Sequence, residues 1–94
     1  MTKAEIVKEI TQNTGIEKVI VEKAVEAFME TVKGSMSEGS NVYLRGFGSF
    51  IVKNRAAKTA RNISKNTTVI IPAHVIPSFK PAKEFISQVK EKVK

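Results

Sequence analysis

The first forty positions place apolar residues at helical spacing, whereas the positions after them alternate between apolar and polar. Thr2 followed by Glu5 is a capping box, in which the hydroxyl and the carboxylate accept hydrogen bonds from the first free N–H groups of a helix. Gly15 can adopt the left-handed backbone that ends a helix. These signals predict a first helix over about residues 3–13.

The second predicted helix, over about 18–38, has an apolar face wider than one packing surface needs. Its apolar arc covers roughly 200° at about 100° per residue, and Gly39 ends the helix. A chain of 94 residues has little else to cover such an arc, so the arc predicts contact with a second chain. The alternative is a helix covered within its own domain. The interface candidates on this helix are Val25, Phe28 and Val32.

Alternation with period two follows the second helix and predicts a β-hairpin. Val42 and Leu44 share one face, and Phe50 and Val52 share one after the turn. The turn, residues 45–48, contains two glycines, which allow positive φ and close backbone approach. Leu44 and Phe50 are therefore predicted to be buried.

The chain after the hairpin contains a further strand at 69–71 and then three prolines, of which Pro81 suits the first turn of a last helix over about 81–91. The predicted fold class is α+β, in one domain over 1–94. Its parts are a helical dimerisation body at 1–40, a β-sheet at 41–80 with an arm at about 53–74, and a C-terminal helix at 81–94.

Composition excludes several function classes. The chain has no cysteine, so disulfides, cysteine zinc sites and thiol catalysis are excluded. The start of the chain lacks the apolar run of about 7–15 residues that a signal peptide has, and no apolar run approaches the roughly 20 residues of a membrane span. We therefore expect a soluble, cytoplasmic protein of a reducing compartment, without membrane association.

Candidate catalytic residues are few. Glu22, Glu26 and Glu30 recur every four residues on one helix face, where neighbouring lysines favour a solvated face over an acid pair or a metal site. His74, the one histidine, has no serine or carboxylate companion within reach by sequence, so we expect a structural or exposed residue. No catalytic residue, metal site or cofactor is predicted, and the chain is not expected to be an enzyme.

The net charge of +7 is concentrated in one segment. Residues 1–40 carry five lysines and seven glutamates, whereas residues 41–83 carry eight basic residues and no acidic one. A block of one sign repels itself, and a polyanion relieves that repulsion. Nucleic acid is the partner expected first, and an anionic membrane surface is the less favoured alternative.

The most basic stretch, residues 53–62, has small spacers between its cations. When extended, such a stretch spans about 33 Å at about 3.3 Å per residue. Residues 62–67 then reverse direction, which predicts a two-stranded arm without a core of its own. The alternative is a solvated basic loop. In one extended strand, Lys53, Arg55 and Arg61 share a face and Lys58 lies on the other.

Ile63 is a large aliphatic residue at the tip of the predicted arm. In one interpretation it packs back on the arm or stays exposed, as single apolar surface residues do. In the other it is a wedge, because apolar side chains inserted between base steps unstack them and kink the duplex. The residues alone leave both interpretations open.

Several motifs occur in order along the chain: Gly46-Phe47-Gly48-Ser49-Phe50, Arg55, Arg61-Asn62, Pro77-Ser78-Phe79 and Lys83. Over about residues 1–90 the chain resembles the bacterial HU/IHF family of histone-like, DNA-bending proteins. The resemblance implies an intertwined homodimer or heterodimer with a helical body, a β-saddle and two ribbon arms in the minor groove. The chain departs from the family at Ile63, where proline is usual, at Asn66, where glycine is usual, and at Lys58, where arginine is common.

The resemblance also assigns roles by position. The arm and its tip would contact DNA through Lys53, Arg55, Lys58, Arg61, Asn62, Ile63, Ser64 and Lys65, with Ile63 as the wedge. The body would add flank contacts from Lys3, Lys18, Lys80 and Lys83. The core and dimer interface, rather than base-stacking platforms, would contain Val25, Phe28, Val32, Leu44, Phe47, Phe50 and Phe79.

The expected function is that of an architectural, nucleoid-associated protein that bends and compacts double-stranded DNA. Sequence preference should be weak, because the minor groove offers a degenerate code. Nicked, bent and junction DNA are further candidate ligands. An RNA-binding module is one alternative, which competition between DNA and RNA would discriminate. A scaffold on anionic surfaces or acidic proteins is the other, and its binding would survive substitution of the arm cations.

Overall fold

The computed structural model describes residues 1–62 and 67–93, with the backbone alone at 60–62, 67 and 69. Within those residues the chain forms three helices and five strands, so the α+β class is confirmed. The chain divides into two compact units, Met1–Ser35 and Met36–Lys94. In chain order the elements are α1 (Lys3–Thr14), α2 (Lys18–Ser37), β1 (Val42–Leu44), β2 (Gly48–Arg55), β3 (Lys58–Asn62), β4 (Thr67–Ile71), β5 (His74–Pro81) and α3 (Lys83–Lys92).

Local signals set both ends of α1. The Thr2 hydroxyl accepts a hydrogen bond from the Glu5 backbone N–H at 3.3 Å and donates one to Glu5 Oε1 at 3.1 Å. The carboxylate thus accepts from the hydroxyl, and half of the predicted capping box is formed. Gly15 ends the helix with a φ of 74°, and its N–H donates to the Thr11 carbonyl at 2.9 Å.

The apolar arc of the first unit is covered in part. Val7 on α1 and Val21 on α2 are 2% and 3% exposed. Phe28, about two turns after Val21 on the same face, is 46% exposed, and Val25 and Val32 are half-buried. The single chain therefore leaves the predicted interface stripe of α2 open.

The strands form two separate antiparallel sheets. One contains three strands in the order β1-β2-β5, and the other contains β3 and β4. Phe50 lies opposite Val42 on β1 and opposite Phe79 on β5, so these side chains share a face. The predicted shared face of Val42 and Leu44 and that of Phe50 and Val52 are therefore confirmed, and the register makes them one face.

The prediction of one extended strand over 53–62 is wrong. β2 ends at Arg55 and β3 begins at Lys58, with the two strands in different sheets. Ala56 and Ala57 make the connection between the sheets on this side, and Pro72 and Ala73 make it on the other. The two short connections interrupt the alternation, so the predicted shared face of Lys53, Arg55 and Arg61 does not follow.

β5 contains prolines that lack the N–H a sheet ladder uses. Pro77 lies opposite Val52, and the Val52 N–H points away from β5, donating to Asn41 Oδ1 at 2.8 Å. Because the hydrogen-bonding direction alternates along a strand, Pro77 occupies a non-hydrogen-bonded position and costs β5 no bond to β2.

Pro81 occupies the same kind of position at the end of β5, opposite Gly48. The prediction that Pro81 opens the last helix is wrong, because α3 begins at Lys83 after an N-cap at Ala82. The Ala82 N–H donates to the Phe47 carbonyl at 2.9 Å, which ties the start of α3 to the β1–β2 turn.

Four phenylalanines form the core of the second unit between the sheet and α3. The Phe79 ring centroid lies 4.9 Å from that of Phe50 and 5.2 Å from that of Phe47. Phe47 stacks on Phe85 at 5.3 Å with 14° between the rings. Phe47 nonetheless remains 45% exposed, so the cluster has an uncovered side in the single chain.

Candidate nucleic-acid interface

The β1-β2-β5 sheet carries aromatic side chains on one face and cationic side chains on the other. Residues directly opposite each other in an antiparallel sheet share a face, and successive residues along a strand alternate. Phe50 and Phe79 mark the aromatic face. We call the other face the basic face, and it is defined by Lys53, Arg55, His74 and Lys80.

The permanently charged side chains of the basic face, Lys53, Arg55 and Lys80, are all cationic. Its four defining side chains are exposed, and no acidic residue occurs between residues 41 and 83 to neutralise them. The positions between them include Ile51 and Ile76, whose side chains are half-buried. A surface whose charges are all of one sign attracts a polyanion over distances of about a Debye length, roughly 10 Å at 0.1 M salt.

The β3–β4 sheet is an arm that continues from the end of the basic face. Its strands pair from Lys58 opposite Ile71 to Asn62 opposite Thr67, and Arg61 lies opposite Thr68. The predicted pairing of two strands is thus present in the described backbone. Ile63, Ser64 and Lys65, predicted for the tip, lie outside the described residues.

A second cationic region lies at the opposite end of β2. Arg45, Lys80 and Lys83 line one open groove of about 460 Å³, together with Tyr43 and Ser49. Lys80 and Lys83 were both predicted site residues, and the structure brings them together. Sequence reasoning missed Arg45 as a member of the site. The available signal was a cation next to Gly46, which has a φ of 81°, near the start of an acid-free segment.

The predicted flank residues Lys3 and Lys18 belong to the helical unit. Lys3 Nζ donates to Glu26 Oε1 at 2.5 Å, and both side chains are about half exposed. This hydrogen bond, together with the attraction between the two charges, raises the pKa of Lys3 and lowers the pKa of Glu26. Lys18 lines a shallow groove with Lys8, Thr11 and other residues of α1. Lys3 is therefore already engaged by an acidic partner, whereas the sequence from 41 to 83 contains no acidic residue.

His74 lies where the body sheet joins the arm. It is the first residue of β5, it faces Arg55 on β2, and it is exposed. Its Nδ1 lies 3.0 Å from the Pro72 carbonyl oxygen. Asn54, Arg55, Ala56, Ala73, His74 and Val75 together line an open groove of about 420 Å³ at this joint.

Two of the glutamates that recur on α2 form ion pairs. Glu26 and Glu30 are exposed and pair with Lys3 and Lys33 at 2.5 Å and 3.0 Å. Across residues 1–62 and 67–93, no three histidine, cysteine, aspartate or glutamate side chains come together as metal ligands do. In the same residues no helix has the length and apolarity that crossing a bilayer requires.

Comparison with known sequences gives matches along the whole chain. Residues 1–90 match the family described as bacterial DNA-binding protein. The integration host factor subunit beta of Marinobacter nauticus is 40% identical over 95 residues, which cover 100% of this chain and 97% of that protein. The DNA-binding protein HU of Thermus thermophilus is 37% identical over 91 residues, which cover 97% and 94%.

Solved structures agree with this assignment. The chain aligns with a protein chain of the Anabaena HU–DNA cocrystal structure at a TM-score of 0.86 and 32% identity, with both chains fully covered. HU from Thermotoga maritima aligns at a TM-score of 0.66 and 28% identity, again over the full length of both. Since motifs, sequence and fold agree from end to end, the chain belongs to the bacterial DNA-binding protein family, alongside the HU proteins and the integration host factor subunits.

Proposed function

We propose that the protein is an architectural, nucleoid-associated DNA-binding protein that bends and compacts double-stranded DNA as a dimer. One observation carries the proposal: the exposed cations of β2 and β5 share one face of a sheet, and both strands connect directly to a separate two-stranded arm. A surface this free of acidic groups suits a phosphate backbone. The fold shared with HU in a DNA complex supports the same ligand.

Each group of predicted contacts has its own part in the proposal. The body sheet provides Lys53, Arg55 and Lys80 to neutralise phosphates, and the arm provides Lys58 and Arg61. Neutralising about eight phosphates in total gives a slope of about −7 for log K against log salt. Further proposed contacts are Lys3, Lys18 and Lys83 from the helices, and Asn62, Ser64 and Lys65 near the tip.

Open apolar surface supports the dimer. Val7 and Val21 are the buried apolar side chains among the described residues, while Phe28 and Phe47 are nearly half exposed. A second copy that covers the α2 stripe and the aromatic cluster supplies the core that one chain of 94 residues lacks. The matched integration host factor proteins are named as subunits, so a heterodimer with a related chain is an alternative to the homodimer.

Bending follows from the arms. Two antiparallel strands fit the minor groove, and an apolar side chain at each tip, Ile63, would unstack a base step and kink the duplex there. Neutralised phosphates on the protein side add to the bend. Because few side chains reach base edges and the minor groove code is degenerate, the protein should bind many sequences with similar affinity.

The test is a gel-shift series with linear, nicked and four-way junction DNA at two salt concentrations, with RNA as competitor. We expect binding to each DNA form, weaker binding at the higher salt, and poor competition by RNA. The double variant Lys53→Gln/Arg55→Gln should lose affinity by about tenfold or more, since two phosphate contacts per chain disappear. The control Lys23→Gln/Lys90→Gln removes the same charge from α2 and α3 and should change affinity much less.

Three results would contradict the proposal. Absence of binding to every duplex at low salt would show that DNA is not the ligand. Equal losses in the two double variants would show that net charge, rather than the basic face, determines binding. Preferential capture by RNA would favour the RNA-binding alternative.

A further inference from the structure

We propose that His74 and Arg55 form a phosphate-binding site at the root of the arm, and that His74 binds the phosphate in its protonated form. This inference rests on the proposed function, because the phosphate belongs to the DNA backbone. It adds a contact residue and a dependence on pH. Four features of the joint between the two sheets support it: the β2–β5 register, the tautomer of the His74 ring, the open groove beside it and the cations around it.

The register places the two side chains together. Arg55, the last residue of β2, lies directly opposite His74, the first residue of β5, at the end of their ladder. Side chains opposite each other in an antiparallel pair start about 4.5–5.5 Å apart at Cβ and point to the same face. Both side chains are exposed on the basic face, so an oxygen-bearing ligand can reach both.

The hydrogen bond to Pro72 fixes the tautomer of the His74 ring. The Nδ1 atom lies 3.0 Å from the Pro72 carbonyl oxygen. A carbonyl oxygen accepts and never donates, so the Nδ1 atom carries the proton in this contact. In the neutral ring, Nε2 is then an acceptor with a free lone pair, which repels a phosphate oxygen. Only the protonated ring presents an N–H at Nε2 as well, and that N–H can donate to phosphate.

The joint leaves room for the ligand. The side chains next to Arg55 and His74 in the groove belong to Ala56 and Ala73, and the groove has an open volume of about 420 Å³. Small side chains at both connections therefore let a backbone phosphate approach both cations. The alanines add no hydrogen-bonding group, so specificity for an anion comes from Arg55 and His74.

The charges around His74 favour an anionic ligand between the two strands. The nearest ionisable groups on the facing strand are Arg55 and Lys53, Lys58 begins the adjoining strand β3, and no acidic residue occurs from 41 to 83. Like charges directly opposite each other repel, and a phosphate bound by both offsets that repulsion. DNA binding and protonation of His74 therefore strengthen each other, since linkage is reciprocal.

The pH range follows from the chemistry of imidazole. Histidine is the side chain whose charge ordinarily changes between about pH 5 and 8. We expect the unmodified protein to bind a labelled duplex about threefold more tightly per arm at about pH 5.5 than at about pH 7.5, which is about tenfold for a two-armed dimer. The slope of log K against log salt should also steepen by about 1 per chain, because one more phosphate is neutralised.

Two substitutions at the same position test the site. His74→Gln removes the titratable ring, so its affinity should change much less between the two pH values. His74→Lys has a permanent charge, so at about pH 7.5 it should bind nearly as tightly as the unmodified protein does at about pH 5.5. Ser87→His, on exposed α3, adds an imidazole away from the groove and should leave the pH dependence as it is.

The unmodified protein gives an independent measurement, because His74 is its single histidine. Nitrogen NMR of the ring should show the Nδ1–H tautomer in the free neutral protein. In the DNA complex the ring should stay doubly protonated to higher pH than in the free protein. Identical titration of the free and bound ring, or an equal pH dependence in His74→Gln, would overturn the proposal. Failure to bind DNA at either pH would instead contradict the proposed function.

Discussion

Gly48 on β2 lies so close to Phe79 on β5 that a Cβ at position 48 would come within 2.6 Å of the Phe79 Cζ atom. The same Cβ would lie 2.6 Å from the Lys80 carbonyl oxygen, which is backbone and cannot rotate away. The glycine therefore lets the Phe79 ring pack across the sheet against Phe47 and Phe50. The aromatic side chains and the cations of the basic face alternate along the same two strands, so packing of the aromatic side also sets the orientation of the basic face.

The first prediction concerns this contact. Gly48→Ala should lower the free energy of unfolding by about 1–3 kcal/mol, because the added methyl group forces the ring or the strand to shift. Gly34→Ala is the matched control: no atom outside its own helix lies within 4 Å of a Cβ there, and alanine favours α2 by about 0.5–1 kcal/mol. Urea unfolding of both variants measures the two changes. Equal stability of Gly48→Ala and the unmodified protein would contradict the described packing.

The second prediction concerns the Lys3–Glu26 ion pair and pH. The lowered pKa of Glu26 means that its contribution to stability is present above the ordinary glutamate value of 4.5 and is lost as pH falls through the lowered value. The raised pKa of Lys3 means that its contribution is present below 10.5 and is lost as pH rises through the raised value. The difference in Tm between the unmodified protein and Glu26→Gln should therefore be small, largest at neutral pH, and absent in strong acid and strong base.

The third prediction links the same ion pair to DNA. If Lys3 is a flank contact, a phosphate must compete with Glu26 for its ammonium group, since Lys3 Nζ donates to Glu26 in the free protein. Glu26→Gln should therefore tighten DNA binding by about two- to threefold. Glu30→Gln is the control, because it removes one negative charge from the same helix and Glu30 pairs with Lys33 rather than with Lys3. A fluorescence anisotropy titration should show a smaller effect for this control, and equal effects would assign the change to net charge alone.

Local signals predicted much of the fold, and non-local pairing determined the rest. Thr2 marks the start of a helix through its side-chain hydroxyl, and Gly15 and Gly39 mark helix ends through their backbone preferences. These boundaries agree with the structure to within one residue. The sequence does not predict the bounds of β5, because prolines such as Pro77 and Pro81 usually interrupt a strand. Their missing N–H groups fall at positions that the β2–β5 register leaves unbonded, and register is not visible in a single segment.

The same reason explains which site residues were found. Lys53 and Arg55 stand out because they are close together in an acid-free stretch. Arg45 becomes a candidate only when the β1–β2 turn and the start of α3 place it at one groove with Lys80 and Lys83. His74 had no partner in the sequence, and its relation to Arg55 arises from cross-strand pairing over a long separation.

The fourth prediction separates bending from affinity. Ile63→Ala should reduce the DNA bend, measured by energy transfer between dyes at the two duplex ends, because a methyl group cannot hold a base step open. Its Kd should change by less than about threefold, since phosphate neutralisation provides most of the affinity. Ile70→Ala is the control, because Ile70 on β4 is 73% exposed and loses the same atoms away from the tip. An unchanged bend in Ile63→Ala would remove the wedge from the proposed function.

The fifth prediction concerns Arg45 and the extent of DNA contacted. Arg45, Lys80 and Lys83 lie at the end of β2 remote from the arm, so DNA that touches both ends must follow the basic face along the strand. Arg45→Gln should therefore weaken binding to a long duplex by about three- to tenfold, and weaken binding to a duplex just long enough for the arms much less. Lys23→Gln, which removes an equal charge from α2, controls for net charge. Equal losses on long and short duplexes would show that the effect of Arg45 does not depend on DNA reaching the far end of β2, and would contradict the proposed path.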